Sequence, residues 1–194
     1  ILYNKFLKFL YKEFFKFNFY FQKNPTIRFH FPFAEKEGAN HYPRYHSDVQ
    51  YGHSPREINL WFKLTNNSKS GLRIINLEES KKWYSKYNFD FDKFIEIASS
   101  QNLNFNNYGK KISKELKIDS KTLFAFDSRC IHTGEAREDD LTTRISIDIR
   151  VIPVEEYEWK VIDHVPIYRG KGRMHAEFKP GGKHGYNEFS IKEI

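Results

Sequence analysis

The clearest pattern along the chain is the two-residue alternation of apolar and polar positions that marks a strand with one face buried. It is strongest over 144–153, where Ile145, Ile147, Ile149 and Val151 alternate with Arg144, Ser146, Asp148 and Arg150. Residues 26–32 repeat it, with Ile27, Phe29 and Phe31 set against Arg28 and His30 and a proline ending the run, and predict a half-buried strand. In 58–64 the apolar set is Ile58, Leu60, Phe62 and Leu64, and Asn59, Trp61 and Lys63 share the other face. Further strands are expected over 72–80, over 121–126 and from His132 onward, with a polar loop at 65–71. The period changes to that of a helix in two places. Residues 1–17 put Leu2, Phe6, Phe9, Leu10 and Phe14 opposite Lys5, Lys8, Lys12 and Lys16. Between 80 and 101, Trp83, Tyr84, Tyr87, Phe91, Phe94, Ile95 and Ile97 predict one or two short inserted helices. The Asn-rich stretch 102–113 reads as a loop.

One helix, many short strands and inserted helices predict a mainly β, single-domain protein spanning 1–194. The expected architecture is a double-stranded β-helix, the jelly-roll or cupin-like barrel, with flanking α-helices. Residues 1–24 would form an N-terminal helix packing on the barrel, 25–153 the double-stranded β-helix core, and 154–194 a C-terminal basic extension. The amphipathic N-terminus fits a helix laid on the outside of a sheet, or one laid on a membrane surface. The glycine-rich tail fits a flexible extension or a loop over an active-site mouth.

The polar face of 144–153 fits either a sheet with one wet face or a barrel with a polar interior covered outside by helices. A net charge of +7 over 194 residues favours anionic partners: phosphorylated or nucleotide-linked small molecules, nucleic acid or a membrane surface. The lysines are scattered and no nucleic-acid-binding module accompanies them, so nucleic acid is not expected as a partner. No apolar run is long enough to span a bilayer, so membrane insertion is not expected. A single cysteine, Cys130, excludes a disulfide framework and suits a reducing, cytoplasmic setting.

Against that framework one constellation carries chemistry: His46-x-Asp48, then His132, then Arg144. His46 and Asp48 share a parity, so on a strand both would point to one face, as two ligands of one metal must. Two imidazoles and a carboxylate on one face of an iron leave the other face open for a co-substrate and O2, the facial triad of non-haem Fe(II) oxygenases. Arg144 supplies a permanently charged fork for a carboxylate, and Ser146, on the same face, an added hydroxyl donor. Together they suit the far carboxylate of 2-oxoglutarate. Arg150 shares that parity and is the alternative anchor. Arg28 and Asn59 face the same interior as candidate substrate contacts. Trp61 fits a sugar-stacking residue or a packed interior aromatic. Among the remaining histidines, His53 is the candidate for a residue at the mouth of the site.

At these residues the sequence resembles a known family. The order HxD…H…R is similar to that of the Fe(II)/2-oxoglutarate-dependent dioxygenases of the phytanoyl-CoA hydroxylase-like kind. The segments PTIRFHFP, YHSDVQYGHSPREINLWFKLT, LEES and TRISIDIRVIP most resemble streptomycin-biosynthesis StrG-like proteins, over roughly 25–153. The resemblance implies His46, Asp48 and His132 as iron ligands, Arg144 as the 2-oxoglutarate anchor and Ser146 as its helper. It implies Fe(II), 2-oxoglutarate and O2 as cofactors. The reaction would be hydroxylation or oxidation of a C–H bond in a small carbohydrate-derived substrate, releasing succinate and CO2. The loop TNNSKSGLRI departs from the proline-containing turn of the phytanoyl relatives and speaks against a lipid-CoA substrate. A cupin-type sugar-nucleotide isomerase or epimerase, or a non-catalytic carbohydrate-binding barrel, would share the framework.

Overall fold

The computed structural model describes residues 2–22, 25–32, 44–51, 53–100, 102–135, 139–153 and 186–189. The turn-rich segment 33–43 and the tail apart from 186–189 lie outside them, so neither reading of the tail can be placed.

The chain opens with α1 (Leu2–Leu10), a π-helical turn (Tyr11–Phe15) and strand β1 (Phe19–Gln22). The helix expected over 1–24 is therefore shorter, ending where Lys16 adopts a left-handed conformation at φ 54°. Strand β2 (Thr26–His30) follows, then β3 (Ile58–Lys63), β4 (Gly71–Ile74), α2 (Leu77–Ser85), α3 (Phe91–Ser99) and α4 (Leu103–Ile112). The chain continues through β5 (Lys114–Glu115), β6 (Phe124–Asp127), β7 (His132–Glu135), β8 (Arg144–Pro153) and β9 (Tyr186–Phe189). No helix among the described residues is long and apolar enough to cross a membrane.

Among the described residues the strands form two open antiparallel sheets, not one closed hydrogen-bonded barrel. In the larger, β8 lies at the centre, with β3 and then β6 on one side and β2 and β1 on the other, and β9 pairs with β1. In the smaller, β4 lies between β5 and β7, and an isolated bridge joins His46 to His132 at the β7 edge. Counting the His46 segment as a strand, the pairings nest from β2 onward: β2 with β8, His46 with β7, β3 with β6, β4 with β5.

The alternation of β8 sorts as its sequence predicts. Arg144, Ser146 and Arg150 are buried on the face toward the second sheet, while Ile149 and Val151 join Leu7, Leu10, Phe19 and Leu60 in an apolar cluster beneath α1. The amphipathic N-terminus thus packs on the sheet. Strand β2 departs from expectation: Ile27, Phe29 and Phe31 are 53%, 50% and 63% exposed. Pattern tells which residues share a face, and tertiary structure decides whether that face is covered.

A second core explains how the His46 segment is held. Trp83 and Tyr84 from α2, Phe91 and Phe94 from α3 and Phe105 from α4 enclose Tyr45, Val49, Ile75 and Ile131. These helices back the His46–Asp48 segment and the start of β7; none of this cluster comes from the larger sheet. Their starts are capped by side chains that satisfy otherwise orphaned N–H groups. Asn76 accepts from Glu79 N–H, Asp90 from Lys93 N–H and Asn102 from Phe105 N–H. The expected strand over 72–80 therefore stops at Ile74 and becomes α2 after the Asn76 cap, and the expected loop over 102–113 is α4. Gly109 belongs to this packing, because a Cβ there would lie 2.6 Å from the Tyr45 ring and 2.8 Å from that of Trp83.

Candidate metal and anion site

His46 and Asp48 do not share a regular strand. His46 sits in the isolated bridge, exchanging backbone hydrogen bonds of 3.0 and 2.7 Å with His132, and Asp48 opens a short 3-10 helix (Asp48–Tyr51). The 3-10 turn, anchored by Asp48 N–H donating to Ser128 O at 3.0 Å, still delivers the carboxylate beside the two imidazoles. One ligand atom from each of His46, Asp48 and His132 lies within 4.8 Å of the others.

The neighbours of these three groups decide which atoms they present. His46 Nδ1 contacts Arg44 O at 2.7 Å, and His132 Nδ1 contacts Cys130 O at 3.0 Å. A carbonyl only accepts, so each Nδ1 carries its proton and Nε2 is the lone-pair nitrogen. This backbone support is the usual way of orienting a metal-binding histidine. Asp48 Oδ2 accepts from Asn59 Nδ2 at 2.6 Å and faces Arg150 Nε at 3.5 Å, which leaves Oδ1 for another partner. Burial, reinforced by His132, draws His46 down to about 3, and burial also lowers His132. Both rings are therefore neutral at neutral pH. Burial opposes ionisation of Asp48, but the positive charge of Arg150 foremost outweighs it, and the carboxyl is held well below its ordinary value. Two neutral imidazoles and one carboxylate are a donor set that suits a divalent first-row metal.

The trio opens into a cavity of about 290 Å3 between the two sheets. Its floor is the polar face of β8: Arg144, Asp148 and Arg150 line it, and Ser146 lies on the same face. Opposite these in register stand His30 and Arg28 on β2, and Asn59 and Trp61 on β3. Arg144 is 1% exposed; its Nη1 donates to Gly71 O, and its guanidinium lies 5.8 Å from the Trp61 ring centre. Ser146 Oγ is buried with no hydrogen-bond partner among the described residues, an arrangement that leaves it available to a ligand. Gly134, two residues beyond His132, gives the guanidinium its space: a Cβ there would lie 3.1 Å from His30 Cε1 and 3.4 Å from Arg144 Nη2.

Of the residues singled out from the sequence for this site, His46, Asp48, His132, Arg144, Arg150, Arg28, Asn59 and Trp61 line the cavity, with Ser146 on its floor strand. Arg28, with a side chain 46% exposed and ion-paired to Asp148, stands at its rim. Trp61 is 3% exposed and packs in the interior with one side on the cavity. Arg150 is engaged at the Asp48 end, where its Nε lies 3.1 Å from Glu57 Oε1. His53 is no mouth residue: it is 4% exposed, and its Nδ1 lies 2.9 Å from Glu57 Oε1. The sequence reading missed His30, Arg44, Gly134 and Asp148, although each shares a parity with a residue it did select. It also missed Leu72, Phe126 and Glu57, which only the tertiary fold brings in. The chain matches no protein-family model and no curated protein sequence.

Proposed function

We propose that the protein is a non-haem Fe(II)- and 2-oxoglutarate-dependent oxygenase that oxidises a C–H bond of a small, anionic or carbohydrate-derived substrate. The observation that carries this reading is one cavity holding both parts of such a site. At one end two imidazoles and a carboxylate bring one ligand atom each within 4.8 Å of the others; along its floor run a buried guanidinium and an unsatisfied hydroxyl. The nested pairing supports a double-stranded β-helix, because a hairpin of four successive pairs rolled upon itself makes a jelly roll. The likeness of the HxD…H…R segments to streptomycin-biosynthesis StrG-like proteins supports the carbohydrate-derived substrate, by analogy alone.

In this reading His46, Asp48 and His132 hold the iron. Arg144 receives the far carboxylate of 2-oxoglutarate, and Ser146 Oγ donates to the same group. The bound iron and oxo-acid supply the oxygen activation and the succinate and CO2 that accompany it. The protein's share is placement and shielding. The carbonyls of Arg44 and Cys130 fix the imidazoles, Asn59 turns the Asp48 carboxylate, and Trp61, Leu72 and Phe126 add apolar surface to a lining of mostly polar residues.

Anaerobic addition of Fe(II) and then 2-oxoglutarate to the metal-free protein is expected to produce a visible metal-to-ligand charge-transfer band. Folded protein that develops none would overturn the oxygenase reading and favour a cupin-type isomerase or a binding barrel. The cradle of Arg144 gives a finer expectation. Gly134→Ala pushes His30 and the Arg144 guanidinium by a few tenths of an ångström. Oxo-acid affinity, read from the same band, should fall by up to about tenfold while Fe(II) affinity is unchanged.

A further inference from the structure

Asp48 belongs to two groups of potential ligands. Besides the group it forms with His46 and His132, its carboxylate lies with His53 and Glu57 such that one ligand atom from each is within 4.8 Å of the others. All three residues of this second group are buried, and the Glu57 side chain is wholly so. Two buried carboxylates and a histidine form a donor set of the same kind as the first, and burial without a cation would be costly. A cation is already there. Arg150 Nε lies 3.1 Å from Glu57 Oε1 and 3.5 Å from Asp48 Oδ2, so one guanidinium bridges the two carboxylates.

Resting on the reading of His46, Asp48 and His132 as the metal group, the geometry points to Arg150 as a built-in cation. It occupies the Asp48–His53–Glu57 group and confines metal binding to one ion at the cavity. Arginine suits this task because it stays protonated at any working pH and its fork can meet two carboxylates at once. The same contact, with that from Asn59, engages Asp48 Oδ2 and fixes the carboxylate beside the two imidazoles. Glu57 holds the guanidinium, and His53 in turn contacts the Glu57 carboxylate. Arg150 is thus a positioning residue, and in the proposed reading the buried Arg144 on the cavity floor meets the oxo-acid.

The test is a Co(II) titration of the metal-free, full-length protein without oxo-acid, followed by equilibrium dialysis and visible absorption. The wild type is expected to take one equivalent. Arg150→Gln, which keeps an amide donor for Asp48, and Arg150→Met are both expected to take a second, and adding His53→Ala to either should restore one. Circular dichroism identifies variants that fold, and Arg150→Gln carries the test where the more disruptive Arg150→Met does not fold. Folded Arg150 variants that bind a single equivalent with the wild-type spectrum overturn the inference and leave the oxygenase reading untouched. A wild type that binds no Co(II), beside an Arg150→Gln variant that binds one through His53, sinks the triad reading and supports the blocking role of Arg150.

Discussion

Asp48→Ala is expected to weaken Fe(II) binding by at least about 100-fold, beyond the range typical of losing an outer-shell partner. Three contributions act in the same direction. The substitution removes the only anionic member of the ligand trio, leaving two neutral imidazoles. It removes the group that faces Arg150, so that a positive guanidinium is turned toward the incoming metal across a cavity that already carries Arg28, Arg44 and Arg144. It also frees the Asn59 amide, which donates to Asp48 Oδ2 at 2.6 Å. The fold should tolerate the change, because Arg150 keeps Glu57 as its buried counter-charge. Asp48→Asn separates charge from shape: it preserves the side-chain volume, and should recover part of the stability but little of the metal affinity. The check is Fe(II) or Co(II) affinity by competition with a chelator, with thermal unfolding of the metal-free protein as the control. Metal affinity of Asp48→Ala within tenfold of wild type would show that the metal is held elsewhere.

The parts of this site legible in the sequence are those fixed by local periodicity. Strand β8 announces its inward face because Arg144, Ser146, Asp148 and Arg150 fall on one parity, and the structure buries three of them and lines the cavity with the same face. His46, Asp48 and His132 were identifiable as a set because the chemistry needs those residue types together, although the expected strand carrying the first two is a bridge and a 3-10 turn. What stayed hidden depends on tertiary structure or on weak propensity. Helix α4 was obscured by its asparagines, which are poor helix formers, even though Phe105, Tyr108 and Ile112 keep helical spacing behind the Asn102 cap. Glu57 and His53 look like polar residues of a turn; the buried Glu57 meets Arg150 from a strand far along the chain, and His53 is buried against Glu57. The exposure of Ile27, Phe29 and Phe31 shows the converse, a strand pattern whose apolar side is only partly covered among the described residues.

Arg144→Ala should separate oxo-acid binding from metal binding. With Arg150 engaged by Asp48 and Glu57, and Arg28 paired with Asp148 at the rim, Arg144 is the buried cation placed to receive a carboxylate along the floor. Truncating one partner of a buried, hydrogen-bonded charge pair costs about 2–5 kcal/mol. At about 1.4 kcal/mol per tenfold, 2-oxoglutarate affinity should fall by on the order of 100-fold or more. Fe(II) affinity should stay within a few-fold, since the Arg144 guanidinium is held by Gly71 O and lies against the Trp61 ring. Ser146→Ala offers a graded comparison: it removes a single neutral donor, worth about 1 kcal/mol, and should cost several-fold. Arg144→Lys retains the charge but loses the planar fork, so its affinity should lie between those of wild type and Arg144→Ala. The charge-transfer band at saturating Fe(II) reads all three. An Arg144→Ala protein that binds 2-oxoglutarate like wild type, while an Arg150 variant does not, would move the anchor to the Asp48 end of the cavity. That result would also end the case for Arg150 as a blocking cation, because one guanidinium cannot both bridge Asp48 to Glu57 and hold the co-substrate.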